Sequence, residues 1–249
     1  NVLFSKINYN VRHRGLSMKI GILGAMDREV KFLYEKLEGA QVKEIGKVKY
    51  YCGTLCGKDV VVVQCGIGKV CAALGAQNLI NHFNVTHIIN SGIAGAMGEG
   101  LGVFDFVVSE KTVYHDVDVT QFGYKLGQIP GSDAEFIADS FMIEKTQEAF
   151  LNSALSKEHK IVKGLIASGD QFISGGDKKE FIKKNFNPVC VEMEGCAVAQ
   201  AAVLNKIPFV IIRCMSDTAD DNVESVYKFN EDEAALMSAA LVEQIINRL

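Results

Sequence analysis

Several short stretches of this chain hold side chains that could do chemistry. Val191-Glu192-Met193-Glu194-Gly195 sets two carboxylates either side of a methionine, between an apolar run and a helix of small residues. Carboxylates beside a buried strand are costly unless they are bonded or functional. A solvated helix start would also favour them, because a helix N-terminus is positive. Arg213-Cys214-Met215-Ser216-Asp217 ends the apolar run 209–212 and so brings Asp217 to the carboxyl edge of a sheet. A cap or turn is the plainer alternative there. Asp220 and Asp221 follow, without the spacing of a calcium loop, and no metal is expected. Glu29 comes just after the first apolar strand, where first-turn dipole pairing would also account for it. His115-Asp116-Val117-Asp118 could suggest a base or a ligand set and reads as mainly structural.

Two glycine-bearing segments accompany these carboxylates. Gly66-Ile67-Gly68-Lys69 stands between a strand and a helix, where backbone N–H groups can face an anion or a polar ligand. It is neither a complete dinucleotide fingerprint, since position 71 is Cys, nor a Walker loop. Ser91-Gly92-Ile93-Ala94-Gly95-Ala96 follows the run Ile88-Ile89-Asn90 and reads as a glycine-rich turn. Its glycines would let backbone approach a ligand or another strand, at the strand end where α/β folds place their sites.

The elements that must position these residues alternate along the chain. Residues 19–23, 49–55, 59–64, 87–90, 104–109, 161–167 and 209–213 read as strands. Residues 27–38, 69–82, 141–155, 178–185, 193–204 and 231–246 read as helices. Such alternation predicts an α/β sheet covered on both faces. With 249 residues, 48% hydrophobic, and no Pro/Ser/Gly-rich linker, one domain over 18–249 is expected. Residues 1–17 stand apart, with Lys6, Arg12, His13 and Arg14, no acidic residue and no initiator Met. They read as an extension outside the fold. Residues 115–136 show little periodicity and carry Phe122, Tyr124 and Pro130, the signature of a functional or interface loop.

Charge and cysteine content exclude several function classes. The formal net charge is −4 and no basic stripe appears, so duplex nucleic acid and acidic membranes have no electrostatic support as partners. No apolar run approaches the ~20 residues of a membrane helix. The seven cysteines are odd in number, sit largely in apolar runs and lack zinc spacing. They read as free thiols in a reducing compartment, which points to the cytoplasm.

Seven motifs occur in order: GILGAMDREV (21–30), QCGIGKV (64–70), NSGIAGA (90–96), HDVDVTQFGYKLGQIPG (115–131), SGDQFI (168–173), VEMEG (191–195) and RCMSDTAD (213–220). Together they resemble the bacterial 5′-methylthioadenosine/S-adenosylhomocysteine nucleosidases of the purine nucleoside phosphorylase-like superfamily, from Met18 to the C-terminus. The resemblance implies a single three-layer α/β domain with a mixed, partly barrel-like sheet between helices. It also implies a homodimer, an adenine nucleoside as ligand, and no cofactor. By resemblance Glu29 activates water and Asp217 protonates adenine at N7, with Ser216 orienting it and Arg213 helping to position the water. Glu194 holds the ribose hydroxyls and Met193 packs on the ribose, flanked by Val191 and Glu192. Phe172 stacks on adenine and the backbone of Ile173 reads its edge. Ile67 and Phe229 line the alkylthio pocket, and Val119, Phe122, Tyr124 and Pro130 form the loop lent by a neighbouring subunit. This chain has Ile93 where the family often has Ser or Thr, so Ile93 is given no chemical role.

The implied chemistry is physically coherent. Breaking an N-glycosidic bond leaves positive charge on ribose and negative charge on the base, so an acid at Asp217 must hold a proton and a base at Glu29 must take one. A phosphorylase would need cations around its phosphate, and the chain has only Arg12, Arg14, Arg28, Arg213 and Arg248. A carboxylate at the nucleophile position would also repel phosphate. An aminofutalosine or futalosine nucleosidase shares the same carboxylates and differs at the 5′ pocket. There Ile67, Phe122 and Phe229 favour an apolar thioether. A non-catalytic nucleoside sensor would not require Glu29, Glu194 and Asp217 together. A dinucleotide-binding module is disfavoured by the incomplete glycine fingerprint.

Overall fold

The computed structural model describes residues 17–219 and 223–249, with residues 223–229 described by backbone alone. Of the segment 1–17, all but Ser17 lies outside the described residues, as do Asp220, Asp221 and the Phe229 side chain.

Strand β1 (Lys19–Gly24) is apolar and buried from Ile20 onward. It runs parallel to both β4 (Lys58–Gln64) and β5 (His87–Ala96). In β4, Val60 to Val63 are all buried, as expected of a strand covered on both faces. Strands β2 (Glu38–Ile45) and β3 (Val48–Leu55) extend this side as antiparallel ribbons. On the other side lie β6 (Phe106–Tyr114), the short β7 (Phe136–Ile137), β8 (Ile161–Ser168), β9 (Cys190–Glu192) and β10 (Phe209–Asp217). The sheet order is β10-β6-β8-β9-β5-β1-β4-β3-β2, with β7 on β6. Because β10 also pairs with β5, strands β5, β9, β8, β6 and β10 close into a ring. Closure removes the free edges of these strands; β5 and β10 run one way around the ring and β6, β8 and β9 the other.

Among the described residues six α-helices flank the sheet: α1 (Asp27–Tyr34), α2 (Lys69–Phe83), α3 (Ser140–Leu151), α4 (Gly176–Phe186), α5 (Gly195–Asn205) and α6 (Val223–Ile246). Helices α2 and α5 bury small residues, among them Ala72, Gly75 and Ala76 on one and Cys196, Ala199 and Ala202 on the other. Small side chains let helix backbones lie close to each other and to the sheet. The mixed, partly closed sheet between helices is the architecture expected.

Three local expectations are corrected. The helix expected over 27–38 ends at Tyr34, and β2 begins at Glu38. This strand is exposed along almost its whole length, so no apolar alternation marks it. The turn expected at 91–96 is the second half of β5, paired with β10 and β9. Its glycines serve close approach within a strand. Strand β10 runs on through Asp217, so Arg213, Ser216 and Asp217 are held by the sheet itself.

Candidate active site

Glu29 sits in the first turn of α1, and 3% of its surface is exposed. Its Oε2 accepts the Met26 N–H at 2.9 Å, reaching back to the N-cap residue, and its Oε1 accepts the Ile93 N–H at 3.1 Å. A Cβ at position 92 would lie 2.5 Å from Glu29 Oε1, so Gly92 is what lets this carboxylate reach the β5 backbone. Burial raises the Glu29 pKa, and Arg213 and the amides of Met26 and Ile93 oppose that rise. Ile93 thus serves through its backbone, although its side chain has no polar group to offer.

Glu192 ends β9 and is fully engaged. It accepts hydrogen bonds from the Ser168 hydroxyl, from the Glu194 N–H at 3.0 Å and from the Gly195 N–H at 2.7 Å. The Arg213 guanidinium lies 2.5 Å from its Oε2. Burial pushes this carboxyl up, but Arg213, Ser168 and the two amides outweigh burial and hold it below the usual range. Arg213 is 1% exposed and also donates to the Asn90 side-chain oxygen at 2.6 Å and to the Ile212 carbonyl at 3.0 Å. Asn90 in turn donates to the Leu23 carbonyl at 3.1 Å, so one polar network links β1, β5, β9 and β10.

Glu194 lies two residues on, at the N-cap of α5. Its Oε1 accepts the Gly68 N–H at 2.9 Å, and its Oε2 is 4.0 Å from Arg213. Burial and the negative charge of Glu192 push its pKa up to about 8. Two carboxylates in one short motif are therefore driven in opposite directions by their surroundings. The glycine turn 66–68 does present N–H groups to anions, and the anions are internal. Gly68 serves Glu194, and the Lys69 N–H donates to Asp170 at 2.8 Å.

Asp217 closes β10 and is 2% exposed. Its Oδ2 accepts the Ser216 hydroxyl at 2.7 Å and its Oδ1 accepts the Ala219 N–H at 2.8 Å. A Cβ at position 95 would meet Asp217 Oδ1 at 2.9 Å, so Gly95 makes room for this acid against β5.

Glu29, Glu192, Glu194, Ser216 and Asp217 all line one cavity of about 580 Å³, counting space open to solvent. Ile67, Phe172, Ile173, Val191 and Met193 complete the apolar part of its wall. Arg213 is buried beneath it, committed to Glu192 and Asn90. Within this chain, Val119, Phe122, Tyr124 and Pro130 belong to the long connection between β6 and β7, and Phe122 is 71% exposed. Sequence reasoning missed Ala25, Met26 and Gln171 in the wall, and Ser168 and Asn90 behind it. Asn90 had a legible signal: a lone amide ending an apolar strand run must find partners. His115 and Asp116 sit at the root of the long connection. There Asp116 accepts from Lys69 Nζ at 2.7 Å and from the Asp170 N–H at 2.9 Å.

A ringed sheet with carboxylates gathered at its opening defines an α/β protein of the phosphorylase type. The model of the Phosphorylase superfamily matches residues 19–247. A protein of Staphylococcus saprophyticus named 5′-methylthioadenosine/S-adenosylhomocysteine nucleosidase is 40% identical over 232 residues, covering 92% of this chain and all of the relative. A solved nucleosidase of the same name from Colwellia psychrerythraea, in complex with adenine, is 41% identical with a TM-score of 0.90. That match covers 94% of this chain and 96% of that one. A futalosine hydrolase of Helicobacter pylori is 30% identical with a TM-score of 0.87, covering 93% and 98%. The chain belongs to the methylthioadenosine/S-adenosylhomocysteine nucleosidase family within that superfamily.

Proposed function

We propose that this protein hydrolyses the N-glycosidic bond of 5′-methylthioadenosine and S-adenosylhomocysteine, releasing adenine and the 5′-thioribose. The observation that carries this reading is the convergence of Glu29, Glu194 and Asp217 on one buried cavity. Glu29 takes a proton from water as the water oxygen bonds to C1′. The C1′–N9 bond breaks as a proton passes by way of the Asp217 carboxyl to adenine N7, so that the base leaves neutral. The Ser216 hydroxyl orients that carboxyl. Glu194 holds the ribose hydroxyls by hydrogen bonds. Met193 packs on the ribose, Phe172 stacks on the base, and Ile173 reads the base edge through its backbone.

Water is favoured over phosphate as nucleophile because the cation nearest the chemistry, Arg213, is already bonded to Glu192, Asn90 and Ile212. Arg213 acts from below, lending positive charge to Glu29 and Glu194. A futalosine-type substrate is the second reading, supported by the likeness to the Helicobacter pylori hydrolase. The apolar Ile67 and Met26 at the mouth favour the thioethers.

The reading includes a homodimer in which the 115–131 loop, with Val119, Phe122, Tyr124 and Pro130, completes the neighbour's site. Val70, Leu74 and Leu204 are 69%, 60% and 72% exposed, an apolar face of the kind that subunit contacts cover. No helix among the described residues is long and apolar enough to cross a membrane. The seven free cysteines support a reducing, cytoplasmic setting. The test is a phosphate-free assay of methylthioadenosine, S-adenosylhomocysteine and aminofutalosine, following free adenine. Prompt release from the thioethers is expected; release that requires phosphate and yields ribose 1-phosphate would overturn the hydrolase reading.

A further inference from the structure

The nucleoside cavity does not end at its mouth. Past Met26 and Ile67 it continues into an open groove of about 920 Å³ whose mixed wall includes charged side chains. That wall holds Asp27, Arg28, Gln64 and Asp232. Arg28 spans the first turn of α1 and the body of α6, with NH1 2.5 Å from Asp232 Oδ1 and 3.1 Å from Glu231 Oε2. Its side chain is 42% exposed and that of Asp232 is 84% exposed. An exposed pair of this kind contributes little and exchanges partners easily.

We propose that Arg28 and Asp232 form a subsite for a zwitterionic amino-acid tail on the 5′ substituent, and so set the preference between thioether nucleosides. This rests on the function proposed above. A methylthio group ends among Met26 and Ile67. A homocysteinyl group carries its ammonium and carboxylate beyond them, into the groove. There the carboxylate meets the guanidinium and the ammonium meets the Asp232 carboxylate. The Arg28–Asp232 pair opens and two pairs with the tail form, while Glu231 remains beside the guanidinium. Tyr34 donates to Asp27 at 2.7 Å, so Asp27 already has a partner on its own helix.

The test compares kcat/KM for S-adenosylhomocysteine, methylthioadenosine and an uncharged 5′-butylthioadenosine of similar reach. Arg28→Ala is expected to lower the homocysteine/methylthio ratio about fivefold, and Arg28→Glu about tenfold or more. The butylthio/methylthio ratio should stay within about twofold, because that substrate offers the groove no charge. Raising salt well above physiological ionic strength should lower the homocysteine/methylthio ratio of the unaltered protein and do so less for Arg28→Ala. Unchanged ratios in both variants would overturn the tail subsite while leaving hydrolysis intact. Failure of the unaltered protein to release adenine from any of the three would overturn the functional reading, and the subsite with it.

Discussion

Two arginine–carboxylate pairs separate the floor of the cavity from its rim. Arg213–Glu192 on the floor is 1% and 2% exposed at the side chains, and Arg28–Asp232 at the rim is 42% and 84% exposed. Both close to 2.5 Å, so distance does not tell them apart. Their surroundings do. On the floor each partner is desolvated, and the pair survives because Ser168 and two amides serve the Glu192 oxygens and Asn90 takes a further Arg213 proton, although Arg213 Nε has no hydrogen-bond partner. Losing one partner there strands a buried charge. At the rim, water replaces whichever partner leaves. The floor is therefore rigid apparatus that sets the charge of neighbouring carboxylates, and the rim is exchangeable surface.

Removing one floor partner should have the largest effect. Glu192→Gln or Arg213→Ala is expected to lower unfolding stability by about 3–5 kcal/mol in urea titration. A loss below about 1 kcal/mol, of the size expected at the rim, would erase the distinction between the two regions. Next come the carboxylates that the floor supports. Glu29→Gln and Asp217→Asn should each lower kcat by roughly 100- to 10,000-fold. In steady-state kinetics Glu29→Gln should leave substrate binding near its original strength; lost binding with no specific loss of turnover would remove Glu29 from the chemistry.

The pH response sharpens the comparison further. Glu194 titrates at 4.5 when unperturbed and at about 8 in the fold. Below pH 4.5 both states hold the proton and its contribution is fully present. Between 4.5 and 8 only the folded state keeps the proton, so stability is lost as pH rises through that window. Glu192 has the opposite sign, since its folded pKa is depressed and its contribution is lost as pH falls. The unaltered protein should therefore lose stability relative to Glu194→Gln from pH 5 to pH 8, measured by urea unfolding at each pH. A constant difference would show that burial and Glu192 do not act on Glu194 as described. The smallest effect belongs to the rim: Arg28→Ala should change stability by less than about 1 kcal/mol in the same titration.

Much of the scaffold was legible because its signals are local. Val60 to Val63 reads as a buried strand from composition alone, and the small-residue helices at 69–82 and 193–204 are found within two residues of their observed bounds. Strand β2 was illegible because an edge strand facing solvent needs no apolar alternation. The second half of β5 was misread because its glycines resemble a turn. Those at 92 and 95 are there for Glu29 and Asp217, which are distant in sequence. Asn90 and Ser168 were overlooked for the same reason: their partners, Arg213 and Glu192, lie 123 and 24 residues away.

By itself, then, the sequence determined the alternating α/β plan, the family, and which carboxylates stand at strand ends. The plan and the strand ends follow from periodicity and residue type, which act over a few neighbours along the chain, and the family from the resemblance of seven ordered motifs. Only the tertiary structure decided that Glu192 is held ionised while Glu194 is pushed up to about 8. It also decided that Arg213 is committed beneath the cavity while Arg28 stays exchangeable at its rim. Desolvation and Coulomb interaction depend on which groups meet in space, and ring closure brings β5, β9 and β10 together from three separate parts of the chain.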